Sequence, residues 1–282
     1  MPRSPSSTVQ AARNELGVRL RELRKEAPLS GRELARLAGW APSKCTRLEN
    51  GETLPSVDDI RTWCRVCGAD DQAEDLIAAT RTVDSMYVQW KRVQRTGLRR
   101  LQESYVPLFE RTQSFRVYSS NVVPGLLQTE GYATALLTDI TDFRGTVNDV
   151  PAAVEARMER SRVLRQGRRR FAFLIEESVL RHRVGDDDAM ADQLGYLLSA
   201  MAFPTVSIGV IPLAAPRRMW VVETFSIYDA EQAQVETLTA AVTMTAPGEV
   251  AVYAKAFAEL GKVAVYGQRA RSLVAAAVDS LG

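Results

Sequence analysis

The sequence contains little material for metal or nucleophilic chemistry, because its 282 residues include one histidine and three cysteines. Since His182 stands alone, neither a Ser-His-Asp triad nor a histidine-rich metal site can be assembled. The chain also lacks the GxGxxG and GxxxxGK(S/T) patterns that cradle phosphate groups. We therefore expect a protein that is not an enzyme and that needs no cofactor and no metal.

Disulfides and long apolar runs are scarce as well. Cys45, Cys64 and Cys67 are too few and too clustered for a disulfide framework, which indicates a reducing compartment. Cys64 and Cys67 have redox-motif spacing, but a predicted helix there favours packing in a core. No run approaches the ~18 apolar residues of a membrane span. The first ten residues also lack the apolar run of a signal peptide. The sequence predicts a cytoplasmic protein without a membrane partner.

The net charge of +2 is too small to identify a partner, but the charge is unevenly distributed. Residues 1–68 carry twelve basic and eight acidic side chains, and residues 81–100 carry six basic residues against Asp84 alone. This concentration of positive charge in the N-terminal third predicts an anionic partner there.

The chain divides into segments of different composition. Residues 1–8 are rich in Ser and Pro and are predicted to form a disordered arm. Residues 9–80 are predicted to hold five short helices, and residues 81–105 a basic connector with a long helix over Tyr87–Tyr105. Residues 106–282 alternate β-rich runs with helical stretches. The predicted fold is multidomain, with an all-α helix-turn-helix domain followed by a mixed α/β (α+β) domain.

The β-rich runs and helical stretches of the second domain can be placed individually. Strands are predicted over Phe115–Ser120, Phe171–Ile175, Val206–Ile211 and Val221–Tyr228. Helices are predicted over Glu130–Thr138, Val154–Gln166, Ala189–Ala202, Pro247–Val265 and Gln268–Leu281.

Two short helices within residues 30–50 carry the signals of a helix-turn-helix. Ser30 and Glu33 have capping-box spacing, and Leu34, Leu37 and Ala38 are predicted to face inward. Gly39 can end this helix in a left-handed conformation. The next helix is predicted over Pro42–Asn50. It buries only a narrow apolar stripe and exposes a polar, basic face, which suits docking in the major groove.

The segment LRELRKEAPLSGRELARLAGWAPSKCTRLENGETLPS closely resembles the XRE-type helix-turn-helix family, which includes the phage repressors. The most specific part is Arg47–Gly51 followed by Pro55 and Ser56. The resemblance implies that Pro42–Asn50 is a recognition helix for double-stranded DNA. It places Ser43, Lys44 and Arg47 at base-reading positions, and Gly31, Arg32 and Thr46 at phosphate contacts.

The same resemblance implies one structural pair and reveals one departure from the family. Arg24 and Glu49 match a pair that ties the first helix to the third. Ala41 and Pro42 stand where the family has a polar cap and a polar first residue. Since neither side chain can hydrogen-bond DNA, base reading is expected to depend on Lys44 and Arg47.

The second domain has a resemblance of its own. The segments NVVPGLLQTEGYATALL, RSRVLRQ, FAFLIEESVLRHRVG and QLGYLLSAM are similar to the C-terminal domain of a large actinobacterial family of XRE-type regulators. That domain is described as antitoxin-like or of unknown function, and a small companion protein is often encoded nearby. The resemblance covers Trp90 to Leu281 and implies no catalytic residues.

Together these features predict a sequence-specific transcriptional regulator that binds DNA as a homodimer and whose C-terminal domain senses a partner or ligand. The alternative is an antitoxin-like protein that binds a companion protein and uses DNA binding for autoregulation. A small-molecule sensor would need an apolar pocket in the second domain, and Val123–Leu126 is unusually apolar for a loop. Glu176 and Glu177, the acidic run Asp186–Asp188, and the basic run Arg168–Arg170 fit structural positions better than sites.

Overall fold

A computed structural model describes residues 5–77, 80, 87–89, 97–217, 219–238 and 240–281. The chain divides into two compact units, Met1–Val88 with Ala240–Val242 and Gln89–Thr239 with Thr243–Gly282. The smaller unit contains the helical N-terminal domain, and the larger unit contains a mixed α/β domain. The predicted fold class is therefore confirmed.

The N-terminal domain consists of five short to medium helices and one 3₁₀ turn. The predicted disordered arm is wrong for residues 5–8, because helix α1 begins at Pro5, and residues 1–4 lie outside the described part. The elements are α1 (Pro5–Glu26), α2 (Gly31–Ala38), α3 (Pro42–Glu49), α4 (Val57–Cys67), the 3₁₀ turn Asp70–Gln72 and α5 (residues 73–77).

Local sequence signals begin and end α2 and α4. The Ser30 hydroxyl accepts a hydrogen bond from the Glu33 amide, and the Glu33 carboxylate accepts one from the Ser30 amide. Ser56 and Asp59 form the same reciprocal pair at the start of α4. Gly39 ends α2 with a φ of +72°, a left-handed conformation that glycine adopts without a Cβ penalty.

A single apolar core holds these helices together. Leu20, Leu34 and Trp63 are at most 1% exposed, and the Trp63 indole donates a hydrogen bond of 3.0 Å to the Leu20 carbonyl. Leu37, which was predicted to face inward, is 51% exposed. The buried stripe of α2 passes through Leu34 and Ala35, so Leu37 falls outside it.

Five strands that lie wholly within the larger unit, β2 to β6, form a mixed sheet in the order β6-β5-β2-β3-β4. Strand β2 pairs in parallel with β3, which pairs in parallel with β4, whereas β2–β5 and β5–β6 are antiparallel. The strands are β2 (Ser114–Ser119), β3 (Arg170–Glu176), β4 (Val206–Ile211), β5 (Phe225–Tyr228), β6 (Gln232–Glu236) and β7 (Ala240–Met244).

Eight helices of the described part belong with this sheet. Apolar side chains on its two faces pack against different helices: Phe171 and Phe173 share a core with α11 and α13, whereas Phe225 contacts the rings of Tyr253 and Phe257 on α12. The helices are α6 (Leu98–Ser104), α7 (Val106–Arg111), α8 (Glu130–Arg144), α9 (Val150–Ser161), α10 (Glu177–Arg181), α11 (Asp187–Ala200), α12 (Pro247–Gly261) and α13 (Gly267–Asp279).

Two predicted elements differ from the structure. The predicted connector helix over Tyr87–Tyr105 is wrong, because Tyr87–Gln89 form strand β1 and Gly97 has a φ of +92° immediately before α6. Residues 81–86 and 90–96 of the connector lie outside the described part. The strand predicted over Val221–Tyr228 begins only at Phe225. In the described part, no helix is both long and apolar enough to cross a membrane.

The acidic and basic runs of the second domain make structural contacts. Glu176, at the end of β3, accepts hydrogen bonds from the Tyr118 hydroxyl at 2.8 Å and from the Arg217 guanidinium at 2.9 and 2.5 Å. The Asp186 carboxylate caps α11 through the Ala189 amide at 2.8 Å. Arg169 donates hydrogen bonds to main-chain carbonyls. These contacts agree with the structural interpretation of each run.

The three thiols also occupy structural positions. Cys45 and Cys64 are buried, and Cys67 is half-buried at the end of α4. Burial raises the pKa of all three thiols, that of Cys67 to about 11, so the reactive thiolate is disfavoured at neutral pH. Among the described residues, no cluster of His, Cys, Asp and Glu could hold a metal ion.

Candidate nucleic-acid interface

The outer face of α3 presents three of the predicted DNA contacts together. Ser43, Thr46 and Arg47 are three and four positions apart, which places them on one side of a helix, and all three are exposed. Within the described part of the chain, their side chains make no hydrogen bond and no ion pair. This face is therefore free to contact a nucleic acid without breaking an internal contact.

Lys44, the fourth residue predicted to lie on the DNA-binding face of α3, is half-buried and pairs with α4. Its ammonium group is 2.5 Å from the Asp59 carboxylate of α4 and 4.4 Å from the centre of the Trp40 ring. Lys44 precedes Leu48 by one turn, so it stands at the border of the buried stripe. The guanine contact predicted for Lys44 would require its ammonium group to leave Asp59.

Glu49, on the inner face of α3, pairs with two arginines of α1. Arg24 donates to the Glu49 carboxylate through Nε at 2.5 Å and Nη2 at 3.0 Å, and Arg21 donates through Nε at 3.1 Å. Arg21 also donates to the Asn50 side chain at 2.9 Å. The structure thus brings together Arg24 and Glu49, the pair that the family resemblance implied, and adds Arg21.

The ionisation of two carboxylates reflects these contacts. Burial raises the pKa of Glu49, but hydrogen bonds from Arg24 and Arg21 outweigh it, and the net pKa lies below its usual value. Burial likewise raises the pKa of Asp59, and hydrogen bonds from Lys44 and Ser56 more than reverse that change. Both carboxylates are therefore charged at neutral pH. Glu49 ties α3 to α1, and Asp59 ties α4 to α3.

The predicted phosphate contacts at α2 lie at its N-terminus. Gly31 is the first residue of α2, and the exposed Arg32 follows it. Helix N-terminal amides carry partial positive charge and favour an anion. At the start of α3, Ala41 makes no side-chain capping bond and Pro42 takes the first helical turn, so this end of α3 offers no polar side chain.

Sequence reasoning missed two residues that shape this surface, Arg21 and Asp59. A signal for Arg21 exists, because it precedes Arg24 by three positions and so lies on the same face of α1. Asp59 was visible as the acidic member of a capping box, but its contact with Lys44 depends on how α4 packs against α3.

Comparison with known proteins identifies both parts of the chain. A family model described as "Helix-turn-helix domain" matches residues 15–77. A second, described as "Domain of unknown function (DUF5753)", matches residues 102–276, more than half of the chain. No curated protein matches the chain.

Among solved structures, that of TrmBL2, an archaeal chromatin protein described as showing a novel mode of DNA binding, is similar with a TM-score of 0.32 and 12% identity. The match covers 85% of this chain and 88% of that chain. A likeness this weak supports no conclusion about fold or function.

Proposed function

The chain belongs to the family that carries this domain of unknown function (DUF5753), and on that premise we propose that it is a sequence-specific transcriptional regulator. Helix α3 enters the major groove of double-stranded DNA, and the amides that begin α2 contact phosphate. Two copies bind half-sites about 34 Å apart, because one recognition helix reads only a few base pairs. The C-terminal domain senses a ligand or partner and alters the affinity for DNA.

The observation that carries this proposal is the contrast between the two faces of α3. Cys45, Leu48 and Glu49 are buried and hold the helix in place, while Ser43, Thr46 and Arg47 project outward and form no side-chain hydrogen bond or ion pair with the described residues. A recognition helix needs this combination, since its inner face must be rigid and its outer face must be free. Arg47 supplies the strongest donor on that face, with a guanidinium that matches guanine O6 and N7.

Substituting Arg47 and Lys44 separately distinguishes base reading from architecture. We expect Arg47→Ala to lower the preference for the operator over unrelated DNA by ~1–3 kcal/mol, or about 5- to 150-fold, while stability is unchanged. Lys44→Ala is expected to lower stability by about 1 kcal/mol and to keep the operator preference, because the Asp59 pair is partly screened by solvent.

The measurement is fluorescence anisotropy of the full chain on an operator selected from random duplexes, with thermal unfolding in parallel. Equal operator preference in wild type and Arg47→Ala would remove Arg47 from the readout. A loss of preference in Lys44→Ala with unchanged stability would instead restore the guanine contact predicted for Lys44.

Salt dependence tests the phosphate contacts. Because binding releases counterions from DNA, we expect the association constant to fall steeply between ~50 and ~200 mM salt. Arg32→Ala should reduce the slope of log affinity against log salt by about 1 and weaken all duplexes alike. Arg61→Ala serves as a control, since Arg61 is exposed on α4 and pairs with Glu74. A flat titration for the wild type would contradict phosphate binding by this domain.

A protein-binding role for the C-terminal domain is the second candidate. Trp220 and Val221 are 60% and 52% exposed, and adjacent large apolar side chains on a surface favour a protein contact. In this antitoxin-like role the chain binds a small companion protein and uses DNA binding for autoregulation. Co-purification of a small protein encoded nearby with the full chain distinguishes this role from ligand sensing.

A further inference from the structure

A cavity of about 460 Å³ lies within the C-terminal domain. Residues of β2, β5 and β6 line it on the side of the sheet, and residues of α6, α8 and α9 line it opposite. The loop Val123–Leu126, which the sequence marked as unusually apolar, forms part of the wall. The volume is in the range of small-molecule sites.

Two arginines of α9 project into this cavity from the same helix face. Arg157 and Arg160 are three residues apart, so their side chains emerge side by side. Arg157 donates through Nε to the Gln102 side-chain oxygen at 3.1 Å and through Nη1 to that of Gln128. Arg160 stacks with the rings of Tyr105 and Phe109 at 5.0 and 5.1 Å.

Neither arginine forms an ion pair within the described part of the chain. The acceptors of Arg157 are neutral amides, and the Nε of Arg160 is buried without a hydrogen-bond partner. The carboxylate that acts electrostatically on both is Glu236, which is exposed and lines the same cavity. The lining thus holds three guanidinium groups, those of Arg144, Arg157 and Arg160, against this one carboxylate, so its charge favours a bound anion.

Both guanidinium groups lie deep in the protein, yet each side chain keeps some accessible surface because it faces the cavity. Burial, together with the neighbouring charge of Arg160, lowers the pKa of Arg157 to about 10. Burial also lowers the pKa of Arg160. Both groups still carry their charge at neutral pH, and both would gain from an anion placed between them.

The rest of the cavity wall combines apolar and aromatic side chains with polar ones such as Asn121, Ser226 and Gln234. Its wall includes side chains that are buried in the core of the domain, among them Phe115, Phe173, Tyr228, Leu126 and Leu137. A ligand that fits this wall has an apolar body and a charged group at one end. An inorganic ion would leave the apolar surface uncovered.

A neighbouring cavity of about 430 Å³ shares Arg160 but has a different charge. Its lining has more carboxylates than guanidinium groups: four glutamates, Glu103, Glu110, Glu155 and Glu159, stand against three arginines, Arg99, Arg160 and Arg169. These carboxylates would repel an anion, so the anionic group belongs on the side of Arg160 that faces Arg157 and Gln128.

We propose that the 460 Å³ cavity binds a small amphipathic organic anion, whose carboxylate or phosphate group contacts Arg157 and Arg160 and whose apolar body fills the aromatic wall. This anion would be the ligand of the sensing role proposed above. Binding in the cavity does not depend on that role, whereas an effect of the ligand on DNA binding rests on it.

The test uses the full chain with three matched probes, phenylacetate, benzyl phosphate and the neutral phenylacetamide, at millimolar concentrations in isothermal titration calorimetry. We expect at least one anion to bind about tenfold more tightly than the amide. Whether phenylacetate or benzyl phosphate binds more tightly identifies the carboxylate or the phosphate as the preferred group. Equal binding of all three probes, or binding of none, overturns the proposal.

Arg160→Met separates a ligand-binding role from a structural one. It removes a buried cation that forms no ion pair with any described residue and keeps an apolar side chain beside the two rings, so the thermal unfolding temperature without a probe should stay equal or rise. Binding of the anionic probe should fall about tenfold. Arg162→Gln is the control, because Arg162 is exposed and pairs with Glu159. A lower unfolding temperature with unchanged probe binding assigns Arg160 a structural role and overturns the proposal.

DNA binding of the same samples is measured separately, with and without probe. Anion binding without any DNA binding would refute the proposed regulator and leave the cavity assignment intact. DNA binding without anion binding would refute the cavity assignment and leave the regulator intact.

Discussion

Gly17→Ala is expected to destabilise the N-terminal domain by about 3 kcal/mol, although alanine is the better helix former. Gly17 is a buried position of α1 facing the last turn of α3. A Cβ at this position would stand 2.5 Å from the Glu49 carbonyl oxygen and 2.9 Å from that of Leu48. Because these atoms are backbone, they cannot rotate away, and α3 would have to move relative to α1.

Hydrogen exchange of peptides from α1 and α3 in the full chain measures this effect locally. We expect exchange in Gly17→Ala to be about a hundredfold faster than in the wild type, with DNA affinity reduced. Gly31→Ala is the matched control, because nothing lies within 4 Å of a Cβ there, and its exchange should be unchanged or slower. Unchanged exchange in Gly17→Ala would mean that the two helices can separate at little cost.

The sequence predicted the N-terminal domain well because its signals are local. Capping pairs such as Ser30 with Glu33, and the left-handed Gly39, depend on residues within one or two turns. The role of Lys44 could not be obtained this way. Its partner Asp59 is fifteen positions away, and their contact exists only once α4 has packed beside α3. A contact of this kind between two helices leaves no local signal in the sequence.

The second domain was harder to predict for two physical reasons. Strands β6 and β7 are short, and β6, QAQVE, contains few of the β-branched and aromatic residues that mark a strand. The cavity depends on side chains from many separate elements, so no single segment reveals it. The apolar loop Val123–Leu126 was its one local signal, whereas Arg157 and Arg160 resembled ordinary charges on a helix surface.

Because a carboxylate attaches α3 to α1, the stability of the N-terminal domain is expected to depend on pH. Glu49→Ala is expected to destabilise the N-terminal domain by about 3 kcal/mol, because it leaves Arg24 nearly buried without its partner. The Arg21 contact adds less, since that side chain is 38% exposed and solvent screens it. Glu49→Gln should cost less than Glu49→Ala, because the amide oxygen can still accept one hydrogen bond.

The pH dependence follows from the lowered pKa of Glu49. A carboxylate whose folded pKa lies below its unfolded value of about 4.3 stabilises the fold above that value, and the stabilisation is lost as pH falls through the folded pKa. Hydrogen exchange between neutral pH and about pH 3 should therefore show the wild type losing stability in acid. Glu49→Gln should lose less stability in acid than the wild type. The loss that remains comes from Asp59, whose pKa is also lowered.

Glu22→Gln is the control for this comparison, because Glu22 is 52% exposed and pairs with Arg19 on the surface of α1. Its stability and acid response should match the wild type to within about 0.5 kcal/mol. If Glu49→Gln shows the same acid response as Glu22→Gln, the Glu49 contacts with Arg24 and Arg21 do not hold α3 in place. If it differs as expected, Glu49 holds α3 against α1 and thereby keeps the exposed face with Ser43, Thr46 and Arg47 in position.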